Sequence, residues 1–157
     1  MERGNLPNFI KQVLKENFNN EKLLLVISSD LNQKGFYEKE WFILTDQRIL
    51  IFNDNKKLWD IKLINIKEVR IMSLVGSGAV EIINNKNMTL RLMLFSNSKT
   101  PEFNHLADSI RKYLDKKEFQ IELFQKYYKV CDKCNNRILY NIDRCIQCST
   151  SQKTFFR

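Results

Sequence analysis

Four cysteines, Cys131, Cys134, Cys145 and Cys148, fall within the last 27 positions, spaced C-x2-C, ten residues, C-x2-C. A Cys-x-x-Cys turn aims two thiolates at one point, and two such turns facing each other supply the four sulfurs of a closed tetrahedral zinc site. Asn135-Asn136 follows the first pair, and asparagine tolerates the left-handed backbone that a tight knuckle often needs. Between the pairs, Ile138, Leu139, Tyr140 and Ile142 offer apolar surface for a small two-stranded hairpin. The competing reading is two disulfides. Adjacent C-x2-C turns make a poor disulfide framework, and no secretory apolar segment stands ahead of the first domain, so zinc is favoured. Four sulfurs leave no coordination position for water, which points to a structural metal rather than a catalytic one.

A chain of 157 residues has room for one ordinary domain and a small appendage, the partition that the cysteines suggest. Its 43% apolar content supports a packed core over the first ~120 residues. No apolar run approaches the ~18–20 residues of a membrane-spanning helix. Glycine (4) and proline (2) are scarce, which argues against long disordered linkers. Of the net charge of +8, residues 120–157 carry +4, from seven Lys/Arg against three Asp/Glu. A basic surface suits nucleic acid or anionic lipid. The abundance of Asn, Lys and Ile also fits an AT-rich coding bias, so charge is a weak guide to partners here.

Residues 5–18 carry a helical stripe of Phe9, Ile10, Val13, Leu14 and Phe18, with Asn5 as a cap and Pro7 in the first turn. The stripe is short and weakly basic, which favours packing on the following domain over membrane binding. From Leu23 to Phe95 the pattern changes to strands: Leu23–Ser29, Tyr37–Thr45, Arg48–Asn53, Leu58–Leu63, Val69–Leu74, Ala79–Ile83 and Met88–Phe95. Tight turns at Asp46-Gln47, Gly76-Ser77-Gly78 and Asn84–Asn87 indicate a meandering sheet or barrel. Thr100-Pro101-Glu102 then starts a helix whose apolar face holds Phe103, Leu106, Ala107, Ile110, Tyr113 and Leu114. His105, the sole histidine, lies off that stripe and is expected at the surface. Gln120–Val130 either continues the helix or forms a linker packed on the cysteine-rich segment.

The segment Trp41-Phe42-Ile43-Leu44-Thr45-Asp46-Gln47-Arg48-Ile49-Leu50-Ile51-Phe52 resembles the x-L-T-[DN]-x-R-L-[IL] hairpin of GRAM and bacterial PH-like domains. Its physics is readable locally: Thr45 and Asp46 can accept turn amides, and Arg48 can reach a carboxylate. The resemblance implies a mainly β (α+β) fold, a PH-like seven-stranded barrel or sandwich capped by a C-terminal helix and followed by a zinc ribbon. The order of helix, PH-like domain and cysteine-rich segment resembles the N-terminal cytoplasmic region of bacterial ABC exporters. That resemblance implies an N-terminal helix (1–20), a PH-like domain (21–119), a helical linker (120–130), a zinc ribbon (131–150) and a tail (151–157) leading to a membrane domain. It also implies a cytoplasmic place at the inner membrane face. No Walker or ABC signature motif occurs in these residues, so nucleotide hydrolysis is not assigned to them.

An enzyme finds no support, because no nucleophile–base pattern is present. Phosphoinositide recognition needs a basic first loop, yet that loop offers Lys34, with Lys39 beyond it, against Asp30, Glu38 and Glu40. Nucleic acid would draw on Lys126, Lys129, Lys133, Arg137 and Arg144 with Tyr127, Tyr128 and Tyr140, but these aromatics also suffice to cover a ribbon's small core. The expectation is a non-catalytic binding or regulatory module. It would hold structural zinc and have an intramolecular or protein partner near the membrane face, with weak contact to anionic lipid. The alternative is a free-standing zinc-ribbon protein that binds anionic lipid or nucleic acid.

Overall fold

The computed structural model describes residues 6–116, 128–131, 133–134, 137–139 and 148. The chain divides into two compact units, Met1–Phe119 and Gln120–Arg157.

In the first unit, helix α1 (Asn8–Asn17) precedes seven strands and a second helix. The strands are β1 (Leu23–Ser28), β2 (Trp41–Thr45), β3 (Arg48–Phe52), β4 (Lys57–Lys62), β5 (Ile66–Leu74), β6 (Ser77–Asn84) and β7 (Thr89–Ser96), and α2 spans Thr100–Lys116. β1 to β4 form one antiparallel meander and β5 to β7 another. This is the mainly β arrangement with a C-terminal helix expected from the sequence. Two sheets, rather than one continuous ladder, make up the β layer. The β1–β2 loop joins them, since Leu31 bridges both Tyr37 and Leu94 and the Gln33 amide donates to Leu92 O at 2.7 Å.

Strands β2 and β3 are apolar without alternation, and Trp41–Thr45 and Ile49–Phe52 are buried throughout. Such strands need cover on both faces. α1 supplies it on one side: Ile10 and the preceding Leu6 pack with Val26, Trp41, Ile43, Leu50 and Phe52. The helix is therefore packed on its own domain, and its cap is Pro7; Asn5 lies outside the described residues. On α2, Phe103, Leu106, Ala107 and Ile110 are fully buried, and the helix packs on β5 and β6. His105 is half-buried rather than at the surface, because the burial face of α2 extends beyond the six-residue stripe to take in Glu102 as well.

The turns show why the meander closes. Asp46 and Gln47 keep negative φ, so the β2–β3 turn is held by the Thr45 hydroxyl, which accepts the Gln47 and Arg48 amides at 3.2 and 2.9 Å. Gly76 has φ +74° and follows Val75 in the β5–β6 turn, the second central position at which type II turns need positive φ. Ser77 and Gly78 already belong to β6, so the turn lies one step earlier than Gly76-Ser77-Gly78. Asn87, at φ +61°, turns β6 into β7, while the Asn84 side chain accepts the Lys86 and Met88 amides. Tyr37–Glu40, expected in a strand, lies outside β2 instead, with Tyr37 in an isolated bridge to Leu31. There the Asn32 amide reaches Glu38 at 2.6 Å and the Glu38 N–H bonds Asp30 O at 3.2 Å, curling the chain back before β2 begins.

In the second unit, β8 (Tyr128–Val130) pairs antiparallel with β9 (Arg137–Leu139). Residues 128–130 are thus strand rather than a continuation of a helix, and 120–127 lie outside the described residues. The hairpin also differs from the one expected between the cysteine pairs: it wraps the first pair, with one strand on each side of Cys131 and Cys134. Residues 140–147 and the tail 151–157 lie outside the described residues.

Candidate functional site

The β8–β9 hairpin carries Cys131 and Cys134 between its two strands. Cys131 is buried, and Cys134 and Cys148 are half-buried against it. The three Sγ atoms lie within 4.8 Å of one another, and Cys131 Sγ is 3.5 Å from Cys148 Sγ. Zinc–sulfur bonds of about 2.3 Å in a tetrahedron put sulfurs about 3.8 Å apart, so the spacing suits a four-coordinate soft metal. A disulfide needs sulfurs about 2.05 Å apart, well short of the 3.5 Å between Cys131 and Cys148. Burial opposes ionisation of Cys131, but the backbone N–H groups of Cys134 and Lys133 outweigh it and hold the thiol below its ordinary value. Those amides favour the thiolate, the form in which cysteine binds metal. Three of the expected ligands are therefore brought together, and Cys145 lies outside the described residues.

Two clusters of charge in the first unit involve the residues singled out from the sequence. Beside the β2–β3 turn, Arg48 binds Glu21 through Nε at 2.8 Å and a terminal nitrogen at 2.7 Å. It also reaches Asp60 at 3.0 Å, and its guanidinium lies over the Phe18 ring, 4.9 Å from the centroid. Asp46 accepts the Lys22 amide at 2.9 Å, ahead of β1 rather than in the turn, so Thr45, Asp46 and Arg48 of the Thr-Asp-Gln-Arg corner each brace the fold. Glu21, the carboxylate that Arg48 reaches, carries no local sequence signal; it stands in a polar stretch ahead of β1.

The second cluster lies where the β1–β2 loop meets the β3–β4 turn. A cavity of about 430 Å³ opens there, lined by Lys34, Glu38, Glu40, Lys56, Leu58 and Trp59 among others. Of the acids expected to face Lys34, Asp30 is taken up by Ser96, whose N–H it accepts at 2.9 Å. Glu38 is held by Asn32. Glu40 is 2% exposed; Oε1 accepts the Gln33 amide at 3.2 Å, and Oε2 has no hydrogen-bond partner among the described residues. Burial, with a smaller push from Glu38 and against the Gln33 bond, raises this carboxyl from 4.5 to about 7. Lys39 turns away to lie over the Trp41 ring at 5.2 Å. The loop is thus no basic phosphate cradle.

Among the described residues no helix is long and apolar enough to cross a membrane. No curated protein matches the chain. The family model of the bacterial PH domain matches residues 18–141, most of the sequence, from the end of α1 through both sheets and α2 to just past β9. The two-sheet meander with its C-terminal helix agrees with that match, and the chain belongs to the bacterial PH domain family.

Proposed function

We propose that this chain is a non-catalytic binding and regulatory module whose C-terminal unit is a zinc ribbon, held by Cys131, Cys134, Cys145 and Cys148, and that it serves as the N-terminal accessory region of an ABC-type exporter. The binding role rests on membership of the bacterial PH domain family, whose domains generally present surfaces to lipids or proteins rather than perform chemistry. The observation that carries the zinc reading is the gathering of three sulfurs within 4.8 Å around buried Cys131. Two C-x2-C pairs supply a fourth sulfur in Cys145, and a site saturated with thiolates stabilises structure without activating water. The metal would supply most of the folding free energy of a unit too small to bury a core of its own.

The exporter setting is supported by the order of helix, PH domain and cysteine-rich segment, which resembles exporter N-terminal regions. In that setting the basic residues of 126–157 would face anionic headgroups at the inner membrane face, each contributing about 1 kcal/mol close to the surface and screened by salt. The test is binding of the full chain and of a chain truncated after Lys116 to anionic vesicles across a salt series. Salt-sensitive binding that truncation abolishes is expected. Binding that survives truncation would move the contact to the PH domain, and capture of single-stranded oligonucleotides in preference to vesicles would favour a nucleic-acid role.

A further inference from the structure

A further cavity, of about 500 Å³, runs along α1 and is lined by Lys11, Leu14 and Lys15, by Phe18 at the helix end, and by Leu6 and Leu23. Lys11, Leu14, Lys15 and Phe18 fall at i, i+3, i+4 and i+7, so they share one face. The volume lies within the range of small-molecule sites, about 300–1,000 Å³. Leu6 is buried, and Leu14, Phe18 and Leu23 are half-buried against the cluster that seats α1 on the sheet. The apolar wall is therefore anchored to the core.

The polar end of this cavity, Glu21 and Thr45, is already satisfied. Glu21 Oε1 holds the Arg48 guanidinium at 2.8 and 2.7 Å, and Oε2 accepts the Thr45 hydroxyl at 2.7 Å. The same hydroxyl oxygen accepts the Gln47 and Arg48 amides. The carboxylate is neutralised in place, and the hydroxyl has no hydrogen left to give. A polar group entering here would lose water and gain no partner, so the part of a ligand that lies along the leucines and Phe18 is apolar.

Lys11 and Lys15 are both exposed. A lysine lays its stem along apolar surface and keeps its ammonium in water, where it repels a cationic head and attracts an anionic one. Glu16, the acid next to Lys15, accepts from Gln12 Nε2 at 2.8 Å and is not part of the lining. We propose that this cavity binds a free alkyl carboxylate of the fatty-acid class, its chain along Leu6, Leu14, Phe18 and Leu23 and its carboxylate at Lys11 and Lys15. Such a site rests on the binding-module reading, gives that module a ligand, and is independent of the zinc ribbon.

The test is calorimetric titration of the full chain with decanoate, octanoate and decyltrimethylammonium, each below its micelle concentration. Wild type is expected to bind decanoate with a Kd below about 1 mM. Decanoate should bind about tenfold more tightly than octanoate, since each buried methylene tightens binding by about fourfold. It should also bind about tenfold more tightly than decyltrimethylammonium. Lys15→Glu, at an exposed helix position, should weaken decanoate about fivefold and leave decyltrimethylammonium no weaker, a swap that loss of folding would not produce. Leu14→Trp fills the slot and should abolish decanoate binding; if that variant does not fold, Lys15→Glu decides alone.

Equal affinities for decanoate and octanoate, an unchanged decanoate affinity in Lys15→Glu, or no decanoate binding up to about 5 mM overturns the proposal. Amide signals of Leu14 and Phe18 that move with protein concentration rather than with decanoate would show a second copy of the chain as the occupant, and overturn it too. Each of these failures leaves the binding-module reading standing, since that reading is tested by vesicle binding.

Discussion

Phe95 on β7 and Phe103 on α2 stack face to face, with ring centroids 4.3 Å apart and planes 5° from parallel. The stack joins helix to sheet, and Gly78, paired with Phe95 across β6 and β7, leaves the space the ring occupies: a Cβ there would overlap the Phe95 ring edge. Gly78→Ala should therefore force the ring off its partner and destabilise the PH domain by about 1–3 kcal/mol in chemical denaturation. A neutral effect would mean that the stack is not what seats α2.

Leu106 and Ile110, both fully buried on α2, should each cost about 2–5 kcal/mol when replaced by Ala, since a cavity is left in the core. Lys112, exposed on the same helix, should change stability by no more than about 0.5 kcal/mol. Equal small effects at buried and exposed positions would contradict the placement of the helix.

Arg48→Ala should destabilise by about 2–4 kcal/mol, because the Glu21 carboxylate, only 6% exposed, loses the partner that offsets its burial. Arg48→Lys keeps the charge but loses the fork that reaches Glu21 and Asp60 together, so it should recover only part of the loss. Asp60 reports the same change. Burial raises its carboxyl, but hydrogen bonds from Lys57 and Arg48 outweigh that and hold it below the ordinary 3.8, so its titration should move upward in Arg48→Ala. Identical Asp60 titration in both proteins would show that Lys57 alone sets it.

Glu40 acts in the opposite sense. Its carboxyl is raised from 4.5 to about 7 in the folded chain, so the native state keeps a proton that the unfolded chain has released. The associated loss of stability begins as pH rises past 4.5 and is complete once pH passes about 7. Glu40→Gln should be nearly neutral at about pH 4 and stabilising at about pH 8, by less than about 3 kcal/mol because the cavity opens to solvent. A variant equally stable with wild type at both pH values would refute the burial of this carboxyl.

Several of these features were legible in the sequence. The apolar stripe of α2, the two tight runs around Thr45-Asp46-Gln47-Arg48 and the α1 stripe are local patterns, set by periodicity and short-range hydrogen bonding. The charged residues inside the fold were not. Glu81 is 5% exposed and paired with Arg70 on β5 and Arg91 on β7 at 3.1 and 2.9 Å. That neutralisation depends on the register of three strands, which the segment Val80-Glu81-Ile82 cannot reveal. Glu40 was hidden in the same way, since Tyr37–Trp41 alternates like a strand and gives no sign that its last acid turns inward. The pairing of β9 with β8 escaped because both strands are three residues long, too short for a period to register. The gathering of Cys131, Cys134 and Cys148, by contrast, was legible from their spacing alone.

Cys145→Ser should disrupt the C-terminal unit and leave the denaturation midpoint of the PH domain nearly unchanged, since the chain divides into two compact units and only one would depend on metal. Loss of both transitions together would show that the PH domain needs the metal-bound unit to fold.

The most direct measurement is the metal content of the full chain purified without chelator, by elemental analysis alongside native mass spectrometry. Sulfur-only coordination by Cys131, Cys134, Cys145 and Cys148 predicts about one zinc per chain, lost in Cys145→Ser and released with unfolding of the C-terminal unit by strong chelator. Protein that is folded through β8 and β9, carries four reduced thiols and contains no zinc would contradict it.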